Sequence, residues 1–152
     1  MGWLVALAVV AGCGGGGPVE AGPDSTVQPF VGTWDAVVFR VTSVAEPAVV
    51  ADLLENGSFN INIQPSGLYT ATLVLGDGQG TTLDPFVEIG QLIVSGAFLT
   101  LRPNGPNPCP ASSEYSFSGP NFLTLEGPTC FDFNLDGEDE EARARLELQR
   151  RP

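Results

Sequence analysis

Side chains able to do chemistry are few in this chain, and their densest run is Asp132-Phe133-Asn134-Leu135-Asp136-Gly137-Glu138-Asp139-Glu140-Glu141. Oxygen donors recur there at alternate positions, namely Asp132, Asn134, Asp136, Glu138 and Glu140, and Gly137 permits a sharp turn. A hard cation such as Ca²⁺ asks for that pattern, because it collects oxygen ligands from one loop. The same run has a second account. Phe131, Phe133 and Leu135 alternate with the polar residues, so an inward apolar row would leave Asp132, Asn134 and Asp136 in water, with a hairpin turn starting at Asp136-Gly137. On that account the loop is a solvated acidic loop. Its crowded carboxylates would be relieved by a weakly held calcium ion, the one cofactor the sequence brings into question.

Three further carboxylates, Asp35, Glu88 and Glu126, stand in strand-like segments. A carboxylate-based hydrolase needs two acids flanking one bond. Nothing in the spacing pairs these three, and outward strand positions account for them, so no catalytic residue is assigned and an enzyme is not expected. Composition removes other chemistries. The chain has no histidine, which excludes a Ser-His-Asp triad, a Cys-His pair and His-ligated metals. It has no lysine, which excludes Schiff-base chemistry and a phosphate-loop lysine. Counted from Asp132, the acidic run resembles the first half of an EF-hand calcium loop. Its ninth position is Glu140, but its twelfth is Arg143 where the EF-hand has a bidentate glutamate. An EF-hand proper is therefore not expected.

The cysteines divide into one and two. Cys109 and Cys130 form an even pair, which in an exported protein reads as a disulfide. It would tie the proline-rich stretch 103–110 to the start of the final hairpin. Closing a loop of about 20 residues contributes roughly 3 kcal/mol, mainly by restricting the unfolded chain.

Cys13 has a different setting. Residues 1–12 form an apolar run ending in Val10-Ala11-Gly12. Its length suits a secretory signal and falls short of the roughly 20 residues a membrane-spanning helix needs. Small residues directly before a cysteine resemble the lipobox of bacterial lipoproteins. The resemblance implies that the signal peptide 1–12 is removed and that Cys13 is lipidated as the first mature residue. It also implies a lipid-anchored, extracytoplasmic place in the bacterial cell envelope. Gly14 stands where an aspartate would retain such a protein at the inner membrane, which favours the outer membrane if the cell has one.

Residues 13–28 hold the lipidated cysteine and a Gly/Pro-rich tether with almost no large apolar side chain. The folded domain is expected over 29–152, a length suited to one domain. Net charge is −12, from 18 acids against 6 arginines. A phosphate backbone would be repelled, so no nucleic-acid partner is expected. Attachment to an anionic membrane must come from the acyl chains and not from charge.

The elements that carry these residues have the period of strands. Phe59, Ile61 and Ile63 alternate with polar residues. After the turn Pro65-Ser66-Gly67, so do Tyr69, Ala71, Leu73 and Leu75. Residues 86–94 are apolar on both faces, Ser95-Gly96 turns into 97–101, and 115–117 and 122–125 make a short hairpin. Ala142, Ala144, Leu146 and Leu148 form a last alternating row. Val49, Val50, Leu53 and Leu54 fit helical spacing and a strand equally well. Short turns between such segments predict an all-β, antiparallel up-and-down barrel of about eight strands.

Gly32-Thr33-Trp34 opens the first strand and Arg150-Arg151 closes the last. Together with the meander, these resemble the lipocalin-like barrels of bacterial lipoproteins. The resemblance implies that Trp34 plugs one end of the barrel and that Arg150 packs across its ring, a contact of roughly 0.5–2 kcal/mol. Eight strands leave an interior that is either filled or able to hold one small ligand. The inward candidates for lining it are Ile61, Ile63, Tyr69, Leu73, Leu99 and Phe117, with no charged residue among them. The expected function is thus a membrane-tethered barrel that binds a small hydrophobic ligand or a partner. The alternatives are a structural or interaction domain with a filled core and, third, the carboxylate hydrolase.

Overall fold

The computed structural model describes residues 26–76, 80–106, 109 and 112–152. The signal peptide 1–12, Cys13 and the tether as far as residue 25 lie outside the described residues. A 3-10 turn at Gln28–Phe30 leads into β1 (Gly32–Ser43), β2 (Val50–Asp52), β3 (Ser58–Ile63), β4 (Leu68–Val74) and β5 (Phe86–Ser95). Then come β6 (Phe98–Pro103), β7 (Ser112–Phe117), β8 (Phe122–Phe131) and β9 (Glu140–Arg150). Strands β3 to β9 pair antiparallel in chain order, β1 pairs with β3, and β9 returns to pair with β1. The result is a closed, lipocalin-like antiparallel barrel of eight strands. The short β2 is extra, hydrogen-bonded to the second half of β1.

Alternation drives this closure, since each strand carries an apolar row that must leave water on one side only. In β3, Ile61 and Ile63 are buried while Asn62 between them is exposed. In β9, Ala142, Leu146 and Leu148 are buried and Arg143, Arg145 and Gln149 are exposed. A bulge between Ala36 and Val38 lets β1 follow β9 along its length, with Trp34 opposite Arg150 and Ser43 opposite Ala142.

The two ends differ. Strands meet at one end through short connections, 64–67, 96–97 and 118–121; the other end carries the longer ones, 44–57, 75–85, 104–111 and 132–139. The short-loop end is closed and packed. Trp34, Tyr69, Phe30, Leu99, Leu123 and Leu148 are all under 2 % exposed there. The 3-10 turn lays Phe30 against Tyr115 and Phe117, with ring centroids 5.0 and 5.1 Å apart.

Two expectations are corrected and one open alternative is decided. Val27 is 1 % exposed and belongs to the core, so the folded body begins before Pro29. The ambiguous segment is strand β2 followed by a turn, not a helix: Leu53 is buried against Val41 and Ala142, and Asn56 takes a positive φ of 59° to end the turn. Leu135 does not face inward; it is 86 % exposed with φ 61°, because the chain turns over before Asp136. Among the described residues, no helix is long and apolar enough to cross a membrane.

Candidate functional site: a hollow at the long-loop end

The closed end is sealed by a specific constellation. Trp34 is fully buried, and its Nε1 donates to the Phe30 carbonyl at 2.7 Å. The guanidinium carbon of Arg150 lies 4.1 Å from the Trp34 ring centroid. Arg150 also donates to the carbonyls of Pro29 at 2.8 Å, Pro120 at 3.2 Å and Val31. It thereby clips the 3-10 turn and the β7–β8 turn onto the barrel end. Gly32 makes room for it: a Cβ there would stand 2.8 Å from Arg150 Nη1, and the residue's φ is +129°. That is the physical content of the Gly-x-Trp start.

Beyond this packed half the barrel is hollow. A cavity of about 360 Å³ opens toward the long connections. It falls within the roughly 300–1,000 Å³ typical of small-molecule pockets. Its walls are mainly Phe39, Phe59, Leu73, Leu101, Leu125 and Leu146. Phe86 stands at the mouth, 63 % exposed, and Ala144 leaves space on the β9 wall. Cys109 and Cys130 are joined, with Cα atoms 5.4 Å apart, and their bridge lies on the rim. The bridge ties the β6–β7 connection to β8 where the cavity opens.

Of the six side chains expected to line a cavity, Leu73 does so. Ile61, Ile63, Tyr69, Leu99 and Phe117 point inward but belong to the packed half. The lining residues missed by sequence sit on the same rows, two positions nearer the open end: Phe59 before Ile61, and Leu101 after Leu99. Alternation tells inward from outward, but it does not tell height along the barrel.

One charged residue enters the hollow. Glu88, paired across the sheet with inward Ala71, lines the cavity and is half-buried. The expectation that acids take outward positions, with no charge inside, is corrected here. Tyr69, 1 % exposed, donates its hydroxyl to Glu88 Oε1 at 2.6 Å. Burial raises the Tyr69 pKa well above the usual phenol range, and the hydrogen bond to Glu88 and its negative charge add to the shift. Tyr69 crosses over Gly90, its partner on β5, where a Cβ would stand 2.7 Å from the hydroxyl. That Cβ would crowd the backbone carbonyl of Arg102 on β6 more closely still, so the glycine serves the β5–β6 approach first and also leaves room for the Tyr69 hydroxyl.

The other carboxylates are elsewhere. Asp35 pairs with Arg151 and Glu126 with Arg145, both on the outer surface, and the structure brings neither of them to Glu88. In the 132–139 loop the oxygens turn onto the loop's own amides. Asp132 accepts from Asp136 and Gly137, Asn134 from Asp136, Asp136 from Glu138, and Glu140 from Phe133. Among the described residues, one group of three His, Cys or acidic side chains places its ligand atoms within 4.8 Å: Cys109, Cys130 and Asp139. Its two sulfurs are already bonded to each other.

No protein-family model matches the chain. No curated protein matches it either. A solved structure, that of EF1p2_mFAP2b bound to DFHBI, is similar over 82% of this chain and 96% of that one, at 16% identity and a TM-score of 0.46.

Proposed function

We propose that this chain is a lipid-anchored, extracytoplasmic binding protein of the bacterial envelope whose barrel takes up one small hydrophobic ligand. The observation that carries the binding half is the contrast between the barrel's two ends. Trp34, Phe30 and Tyr69 fill one end, while the other keeps a cavity of about 360 Å³ walled by Phe and Leu. An interior meant only for stability would be packed throughout, since each unfilled void forfeits dispersion contacts. Holding a ligand in that hollow is binding, and no catalytic role is assigned to it.

The anchor half rests on Val10-Ala11-Gly12-Cys13 and the Gly-rich run that follows. Acyl chains contribute about 0.8 kcal/mol per buried methylene, enough when several act together to hold a strongly acidic domain on a membrane. Two measurements test the two halves. Titration with the neutral probe N-phenyl-1-naphthylamine should saturate at one site per chain; a linear, unsaturable signal would remove the binding half. Detergent phase partitioning should move the protein from the detergent to the aqueous phase on Cys13→Ser. Retention in the detergent phase would remove the anchor.

A further inference from the structure

Glu88 gives the cavity a chemical preference. It is the one charged residue among the described residues that line the hollow. Its Oε1 is held by Tyr69, whose ring belongs to the packed floor, so the carboxylate is fixed where the filled half ends and the hollow begins. Among the described residues, Oε2 accepts no hydrogen bond, and no arginine reaches the group. Arg40, Arg145 and Arg151 pair with acids on the outer surface, and Arg150 is spent on Trp34 and the carbonyls beside it. Arg102 stands opposite Gln91 and Arg143 opposite Pro128, both exposed side chains on outward positions. A carboxylate on the wall of an apolar hollow, with one oxygen free and no arginine within reach, offers a charged acceptor to a ligand that carries a cationic donor.

The rim repeats the sign. Connections at the open end carry Glu46, Glu55, Asp84, Asp132, Asp136 and Glu138, and no arginine or lysine stands in any of them. A mouth of one sign draws in ligands of the opposite charge and repels like-charged ones, so fatty-acid anions are disfavoured before they reach the wall.

We propose that the cavity takes a small hydrophobic amine, its tail among Phe39, Phe59, Leu101 and Leu146 and its protonated head donating to Glu88, with Tyr69 holding the carboxylate in place. This rests on the cavity being a binding site, as proposed above, and adds the class of ligand. Tyr69 is a positioning residue; Glu88 makes the contact.

The test compares three probes of equal chain length, decylamine, decanol and decanoate, as competitors of N-phenyl-1-naphthylamine at pH 7. The full chain carrying Cys13→Ser is used, so that no detergent competes. Decylamine should displace the probe at least about tenfold more effectively than decanol, the worth of one charge-assisted hydrogen bond, and decanoate should be weakest. Glu88→Gln should bring the amine and the alcohol to near equality. Equal competition in the unsubstituted barrel, or a preference that survives in a cooperatively melting Glu88→Gln variant, overturns the amine proposal and leaves the hydrophobic site standing. Failure of N-phenyl-1-naphthylamine itself to bind overturns the site and the amine proposal together. If Glu88→Gln does not fold, the carboxylate ¹³C resonance of Glu88 replaces it. That resonance should move on adding decylamine and stay on adding decanol, and the same response to both overturns the amine proposal.

Discussion

At the scale of single residues, two pairs set the character of the barrel, and each depends on a glycine. Gly32, without a Cβ, leaves room for the Arg150 guanidinium over Trp34, and Gly90 leaves room for the Tyr69 hydroxyl beside Glu88 as well as for the Arg102 carbonyl. The second pair has a pH signature. In the unfolded chain Tyr69 ionises near its ordinary value of 10.0. In the fold, burial first and then Glu88 keep it protonated well beyond that. The folded state therefore retains a proton that the unfolded state gives up. The stabilisation is fully present below about pH 10 and is lost progressively as the pH rises above it. Thermal melts between about pH 9 and pH 11.5 should show the unsubstituted protein losing Tm more steeply than Tyr69→Phe, which has no phenol to ionise. Parallel slopes would show that Tyr69 does not titrate differently in the two states.

At the scale of elements, the barrel is closed by β1 meeting β9, and that seam carries its clasp. Arg150→Ala removes the cation–π contact and three hydrogen bonds to carbonyls, of Pro29, Val31 and Pro120. The expected loss is roughly 2 kcal/mol or more, measured by denaturant unfolding, with the 3-10 turn released from the barrel end. An unfolding midpoint within error of the unsubstituted chain would show the clasp to be idle.

The elements also show what the sequence made legible. Two-residue alternation in 58–63, 68–74 and 142–148 is the direct imprint of a wall wet on one side, and those strands were readable from it. Residues 86–94 were readable as a strand but not face by face, because Val87 and Ile89 are apolar yet 54 % and 53 % exposed, while Glu88 between them turns in. The inward charge breaks the binary pattern, so alternation alone assigns β5 the wrong faces at its start. Leu135 misled for a different reason: a left-handed residue at the turn ended the inward row after Phe133. The hollow itself was out of reach of periodicity. Whether Leu99 or Leu101 meets a ligand depends on how far the 3-10 turn and Trp34 fill the barrel, and that is set by closure rather than by any one strand.

At the scale of the whole molecule, charge, anchor and cavity are consistent. A net charge of −12 opposes adhesion to anionic lipid, which leaves attachment to Cys13 and the tether on the proposed reading. The same charge, gathered on the long connections around the open end, selects what approaches the mouth. The disulfide between Cys109 and Cys130 holds that rim together, and the packed end supplies a rigid floor. One half of the barrel gives stability and the other half gives room. On the proposed reading a ligand enters the open half and only that half. Methyl chemical shifts followed during titration with N-phenyl-1-naphthylamine test it most directly. Saturable shifts are expected for Leu73, Leu101, Leu125 and Leu146 at the open end, with Leu99, Leu123 and Leu148 at the closed end unmoved. Shifts confined to the closed-end leucines, or to residues on the outer surface such as Val87 and Ile89, would contradict it.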